Sequence, residues 1–378
     1  MVVILASLFA CDPSPTGRDD IDLAIINGDF DFACKAYRVE DADLRGYAAS
    51  RLVESAVPAA AACTCAAMYD AASGKVDLAV AGAAAPKGRA DLATCLVPAV
   101  EDARVDRIAV LDALARFKAP PARETLVKVA EGAGDAPLRA AALSGLRFYD
   151  DANATLIKAL QAPEAEVRLA AAVALERHVD QGSIVALDGI VTTDASAEVR
   201  AAAATSLASV QTLDGDYGAC KALIGDADPV VRAAPMRTWQ TQVARRPEVI
   251  DCLEKKLGTT EPDAAIRAAV IGHLKIANTA EAQNTACRAI GPYTRANVTD
   301  AVPEEGSGDD LVGVQNALNW EQTLSCVQKA YAQGGYTCHG RYWLAWWIVR
   351  TGGHAVAPSC PGMTTDAVSS PGPREISF

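Results

Sequence analysis

The sequence predicts an all-α solenoid of about seven helix pairs in one elongated domain, with a C-terminal helical cap rich in Trp and Cys. Three observations carry that prediction. An arginine recurs at intervals of 29 to 35 residues: Arg107, Arg139, Arg168, Arg200, Arg232 and Arg267. Seven places after each stands a large apolar residue, at Leu114, Leu146, Leu175, Leu207, Trp239 and Leu274. The composition is 51% hydrophobic but only 5% aromatic, as alanine-rich helices that pack closely would give. Self-similarity at a fixed period of about 20–50 residues marks stacked units, none of which can bury its apolar face alone.

Taken in order, the copies begin with "DADLRGYAASRL", which puts Arg45 and Leu52 at the same offset. Arg45 lies 62 residues before Arg107, which leaves room for one degenerate copy around Lys75 to Ala85. The spacing inside a copy is helical. In "PEAEVRLAAAVAL", Val167, Ala170, Ala171, Ala174 and Leu175 fall on one stripe of a 3.6-residue period. Asp228 before Pro229 suits an N-cap with proline at the first helical position, and Asp135, Ser196 and Pro262–Asp263 stand in comparable places. A second apolar segment follows each break, as in "ATLIKAL" (Ala154–Leu160) and "VIDCLEKKL" (Val249–Leu257). Pro235, three residues after Arg232, is expected to bend its helix.

The shared string Asp/Glu–x–x–Val–Arg–x–Ala–Ala–x–x–Leu resembles the HEAT-like repeat of the phycobilisome-lyase type. The resemblance runs from about Asp41 to Ile290 and is strongest from Asp102 to Leu274. It implies stacked helix pairs, and it says little about activity because fold does not fix function. It also implies that the arginines, Arg45 included, are structural and bind acidic residues in neighbouring turns. Asp102, Asp135, Glu166, Glu198 and Asp228 are candidates by position.

Both ends differ from the repeats. "MVVILASLFAC" is too short to cross a bilayer as a helix. Its Leu8–Phe9–Ala10–Cys11 resembles the lipobox of bacterial lipoproteins, which implies lipid on Cys11 and a bacterial cell-envelope location, periplasmic or surface-facing. The expected organisation is a signal-like segment (1–10), a tether (11–20), the repeats (21–296), an acidic loop (297–312), the helical cap (313–360) and a disordered tail (361–378). The cap region holds Trp343, Trp346 and Trp347, which either seal the last repeat or anchor a partner.

Cysteine usage fits an oxidising compartment. The chain has 11 cysteines, so lipid on Cys11 leaves an even number for disulfides. Cys220 and Cys252 occupy equivalent places in consecutive second helices and are the first expected pair. Cys34, Cys63, Cys65 and Cys95 are expected to pair among themselves, as are Cys287, Cys326, Cys338 and Cys360. Connectivity stays open, and buried free thiols are the other reading.

The four histidines are His178, His273, His339 and His354, with no His–Glu pair among them. Cys338, His339, His354 and Cys360 could ligate zinc, but their spacing fits no common finger. No phosphate-cradling glycine loop or Gly-x-Ser-x-Gly string occurs. With 35 Lys+Arg against 47 Asp+Glu, the net charge of −12 offers no basic groove for nucleic acid. The expectation is therefore a non-catalytic scaffold without a cofactor. It would bind another protein and touch the membrane only through its anchor. The alternatives are a bilin lyase-like enzyme and a structural subunit of an envelope or extracellular assembly.

Overall fold

The computed structural model describes residues 14–282, apart from a few single positions, and isolated residues between 325 and 355. Among the described residues are seventeen α-helices and one small antiparallel hairpin, Tyr69–Asp70 with Lys75–Val76. The chain divides into two compact units, Met1–Ser183 and Ile184–Phe378, where the sequence suggested one elongated domain. A stack whose repeats touch only their neighbours needs no single core, so it can divide between any two of them.

The first unit opens with α1 (Arg18–Ile26) and α2 (Phe30–Cys34). There follow α3 (Ala42–Leu52) with α4 (Pro58–Met68), α5 (Leu78–Ala84) with α6 (Ala90–Leu96), and α7 (Arg107–Phe117) with α8 (Pro120–Glu131). Next come α9 (Ala136–Leu146) with α10 (Asn153–Ala159), and then α11 (Ala165–Ala174). First helices pack in one row, α1–α3–α5–α7–α9–α11, and second helices in another, α2–α4–α6–α8–α10. Helix α5 fills the degenerate copy; Asp77 caps it as Asp41 caps α3, and Ala81 stands where α3 has Arg45.

Helix α12 (Gln181–Ile190) crosses the boundary into the second unit. That unit continues with α13 (Ala197–Ser209), α14 (Leu213–Gly225), α15 (Pro229–Trp239), α16 (Pro247–Leu257) and α17 (Ala264–Ala277). The same two rows recur, α13–α15–α17 and α14–α16.

Local chemistry sets the helix starts. Asp135 accepts from the Leu138 amide at 3.1 Å, Ser196 from Val199 at 3.4 Å, and Asp228 from Val230 at 2.8 Å. Asp263 accepts from Ala265 and Ile266. Each such cap contributes about 1 kcal/mol. Small residues set the spacing between rows. A Cβ added to Gly145 would stand 3.0 Å from both the Ala115 Cβ and a Leu126 methyl, so only glycine lets α9 come this close. Helix α15 runs through the buried Pro235 to Trp239, so the proline removes one amide donor without ending the helix.

The stretch expected to be a tether, 11–20, is fastened to the first unit from Pro15 onward. Pro15 is buried, and the Asp20 carboxylate accepts from the Thr16 amide, the Thr16 hydroxyl and the Gly17 amide. Those bonds start α1 at Arg18, inside the segment that its Pro-rich composition marks as a linker.

Candidate functional site

In each unit the repeat arginines sit near the starts of first helices, and their side chains run back toward the loop before their own helix. Arg45 donates to the Val39 and Glu40 carbonyls, Arg107 to Val100, and Arg139 to Ala130. Arg168 donates to Ala162 and Pro163, Arg200 to Asp194, and Arg232 to Asp226 and Ala227. Side chains of a helix lean toward its N-terminus, which is why the guanidinium reaches this loop. The Arg267 side chain lies outside the described residues.

The carboxylate partners differ from those expected. Arg45 pairs with Asp77, Arg139 with Glu164 at 3.0 Å, Arg200 with Asp226 at 2.7 Å, and Arg232 with Glu261 at 2.8 Å. Each of these acids belongs to the loop that opens the following repeat. The candidates named from sequence are placed otherwise. Asp135 and Asp228 are turned onto the amides of their own helices. Asp102 binds Arg104 and the Tyr69 hydroxyl. Glu166 and Glu198 sit exposed in first helical turns. An acid at a helix start satisfies orphan amides, whereas the arginine points to the neighbouring loop. Asp226 links two steps, since its carboxylate accepts from Arg200 and its carbonyl from Arg232.

Glu261 is 2% exposed and also contacts Lys256 at 2.6 Å. Burial alone would raise its carboxyl, but hydrogen bonds from Arg232 and Lys256 outweigh that and hold it at about 2.

The second-helix face carries a parallel series of charge pairs. Lys128 meets Glu101 at 3.1 Å and Lys158 meets Glu131 at 3.4 Å in the first unit; Lys221 meets Asp188 at 2.7 Å in the second. Three disulfides join consecutive second helices, two in the first unit and one in the second. Cys34–Cys63 links α2 to α4, Cys65–Cys95 links α4 to α6, and Cys220–Cys252 links α14 to α16. Cys326 is also disulfide-bonded. Cys11, Cys287, Cys338, Cys360, Trp343, Trp346 and Trp347 lie outside the described residues, as do His339 and nearly all of the cap. Among the described residues no group of His, Cys, Asp or Glu is placed to hold a metal ion. No described helix is long and apolar enough to cross a membrane.

One buried ionisable cluster gave no sign in the sequence. The Asp216 carboxylate, 1% exposed, accepts from Trp239 Nε1 at 2.9 Å and lies against Arg246, which also approaches Glu248 at 3.5 Å. Two carboxylates thus share one guanidinium. Burial pushes the Asp216 carboxyl up; Arg246 and Trp239 oppose it, Glu248 adds to it, and it stands at about 7. A carboxyl raised in the folded state stabilises most below its unfolded value and loses that contribution as pH rises through the folded one. Wild type should therefore lose roughly 3 kcal/mol relative to Asp216→Asn between pH 4 and pH 8. Urea titrations of both proteins across that range check it, and a difference independent of pH would contradict it.

The fold and these sites can be set beside known proteins. A family model described as HEAT repeats matches residues 133–208, which contain Arg139, Arg168 and Arg200. No curated protein matches the chain in sequence. Among solved structures, human deoxyhypusine hydroxylase in complex with glycerol is 16% identical with a TM-score of 0.29, covering 68% of this chain and 99% of that one. The complex of CpcE and CpcF of phycocyanin lyase from Nostoc sp. is 17% identical with a TM-score of 0.35, covering 68% of this chain and 94% of that one. Kap121p is 11% identical with a TM-score of 0.41; the match covers 89% of this chain and 49% of Kap121p, about half its length. Residues 133–208 match HEAT repeats, and arginine-bearing helix pairs of the same build continue on both sides of them.

Proposed function

We propose that this chain is a non-catalytic protein-binding scaffold, tethered to a membrane of the bacterial envelope by lipid on Cys11. The observation that carries the reading is the set of three disulfides, Cys34–Cys63, Cys65–Cys95 and Cys220–Cys252. Such bonds persist in the periplasm or at the cell surface and are rare in a reducing cytosol. Stacked helix pairs offer a partner protein an extended surface, along which contacts add from repeat to repeat. In this reading Trp343, Trp346 and Trp347 serve as aromatic anchors for that partner.

Intact mass of the protein from a bacterial host, alkylated without reduction, tests the placement. The expected result is a lipid-sized increment on a chain that starts at Cys11, with no alkylated thiol. An unprocessed Met1 with several alkylated cysteines would reject both the anchor and the compartment.

A further inference from the structure

Helix α1 packs inward through Ile21, Ala24 and Ile25, and turns two large apolar side chains outward. Leu23 is 60% exposed and Ile26 77% exposed, the highest value among the large apolar residues described. Three residues apart on a helix, they share one face. Among the described residues of the first unit nothing covers that face, although burying such side chains is favourable.

The distance to the anchor says what does. Chain order places Cys11 four residues before the buried Pro15, and an extended chain covers at most about 14 Å over four residues. The chain is held again at Thr16 and Gly17 by Asp20. Helix α1 begins immediately afterwards and, at nine residues, is only about 14 Å long. A lipid on Cys11 therefore keeps α1 next to the bilayer surface, with no long linker to let it move away. Charge on the helix is largely turned elsewhere. Asp22 accepts from Tyr47 and Arg51, Asp20 is occupied as described, and Arg18 lies over the Tyr47 ring at 4.9 Å. Asp19 shares the exposed side one turn nearer the anchor, which suits a zwitterionic surface better than an anionic one.

We propose that Leu23 and Ile26 form a membrane-contact face, seated at the headgroup boundary of the bilayer that holds the lipid on Cys11. The inference rests on the anchor proposed above and adds an orientation to it: the α1 end of the first unit faces the lipid.

The test uses full-length protein purified from a bacterial host and reconstituted in phosphatidylethanolamine–phosphatidylcholine vesicles. A bimane probe is placed through Ile26→Cys and, in a separate variant, through Ile108→Cys on α7, which is 48% exposed. Intact mass is recorded on each sample. The Ile26 probe should be several-fold less quenched by iodide than the Ile108 probe, and several-fold more quenched by headgroup spin-labelled lipid. Cys11→Ser should restore iodide access at Ile26, and Leu23→Ser should restore it in part without loss of helical circular dichroism. If mass shows lipid on Cys11 while both probes are equally open to iodide, the contact face is overturned and the anchor stands. If mass shows no lipid, the anchor is overturned and takes the contact face with it.

Discussion

Replacing Arg232 with alanine is expected to destabilise the protein by about 3–5 kcal/mol, whereas Arg139→Ala should cost about 1 kcal/mol. Both arginines occupy the same place in their repeats and bind an acid of the next loop, so sequence alone gives them equal weight. Burial separates them. The Arg232 and Glu261 side chains are 9% and 2% exposed, against 17% and 41% for Arg139 and Glu164. Removing Arg232 strips a bidentate partner from a carboxylate that water cannot reach. Lys256 still contacts Glu261, which places the cost toward the lower end of the range. Glu164 can simply turn to solvent. Acid should report the same contact. A carboxyl lowered to about 2 stabilises the fold above its unfolded value near 4.5, and that contribution disappears as pH falls between the two. Arg232→Ala should therefore unfold with a shallower acid dependence than wild type. Equal urea midpoints for the two variants would show that burial does not decide the cost.

Much of the fold was legible because it is written several times. The arginine period gives the helix pairs, and Asp135, Ser196 and Asp228 mark helix starts by capping chemistry that acts within one turn. Cys220 and Cys252 could be put first because stacking brings equivalent positions together; their Cα atoms are 5.8 Å apart. The arginine partners differ from those expected because Asp135 and Asp228 serve the amides of their own helices, Asp102 binds Arg104 and Tyr69, and Glu166 and Glu198 stand exposed. A weaker signal was present: Asp226 and Glu261 each stand six residues before the next repeat arginine, and each binds the previous one. That offset fails at Glu164, four residues before Arg168, and at Asp77, whose helix has no arginine. The Asp216 cluster had no signal at all. Its members come from α14, the end of α15 and the start of α16, and only packing joins them. The tether was overextended for a related reason: proline and aspartate are linker residues by composition, yet here Pro15 is buried and Asp20 fastens the chain before α1.

Reducing the disulfides is expected to cost about 3–4 kcal/mol for each bridge on the chain-entropy model. The loops they close are alike, with sequence separations of 29, 30 and 32 residues, so no one bridge should dominate through loop length. Each span is close to one repeat, which means each bond ties a second helix only to its neighbour. Their losses should differ in how they combine. Cys63 and Cys65 both lie on α4, so removing Cys34–Cys63 and Cys65–Cys95 together should give a non-additive cost. Cys220–Cys252 belongs to the other compact unit, and its removal should add to either within a few tenths of a kcal/mol. Paired Cys→Ala variants, unfolded in urea with and without a phosphine reductant, give all of these numbers. The first-helix loops keep their arginine–carboxylate contacts in reductant, so helix content should survive reduction in the absence of urea. An unchanged midpoint in reductant would mean that the arginine-bridged row alone holds the repeats together.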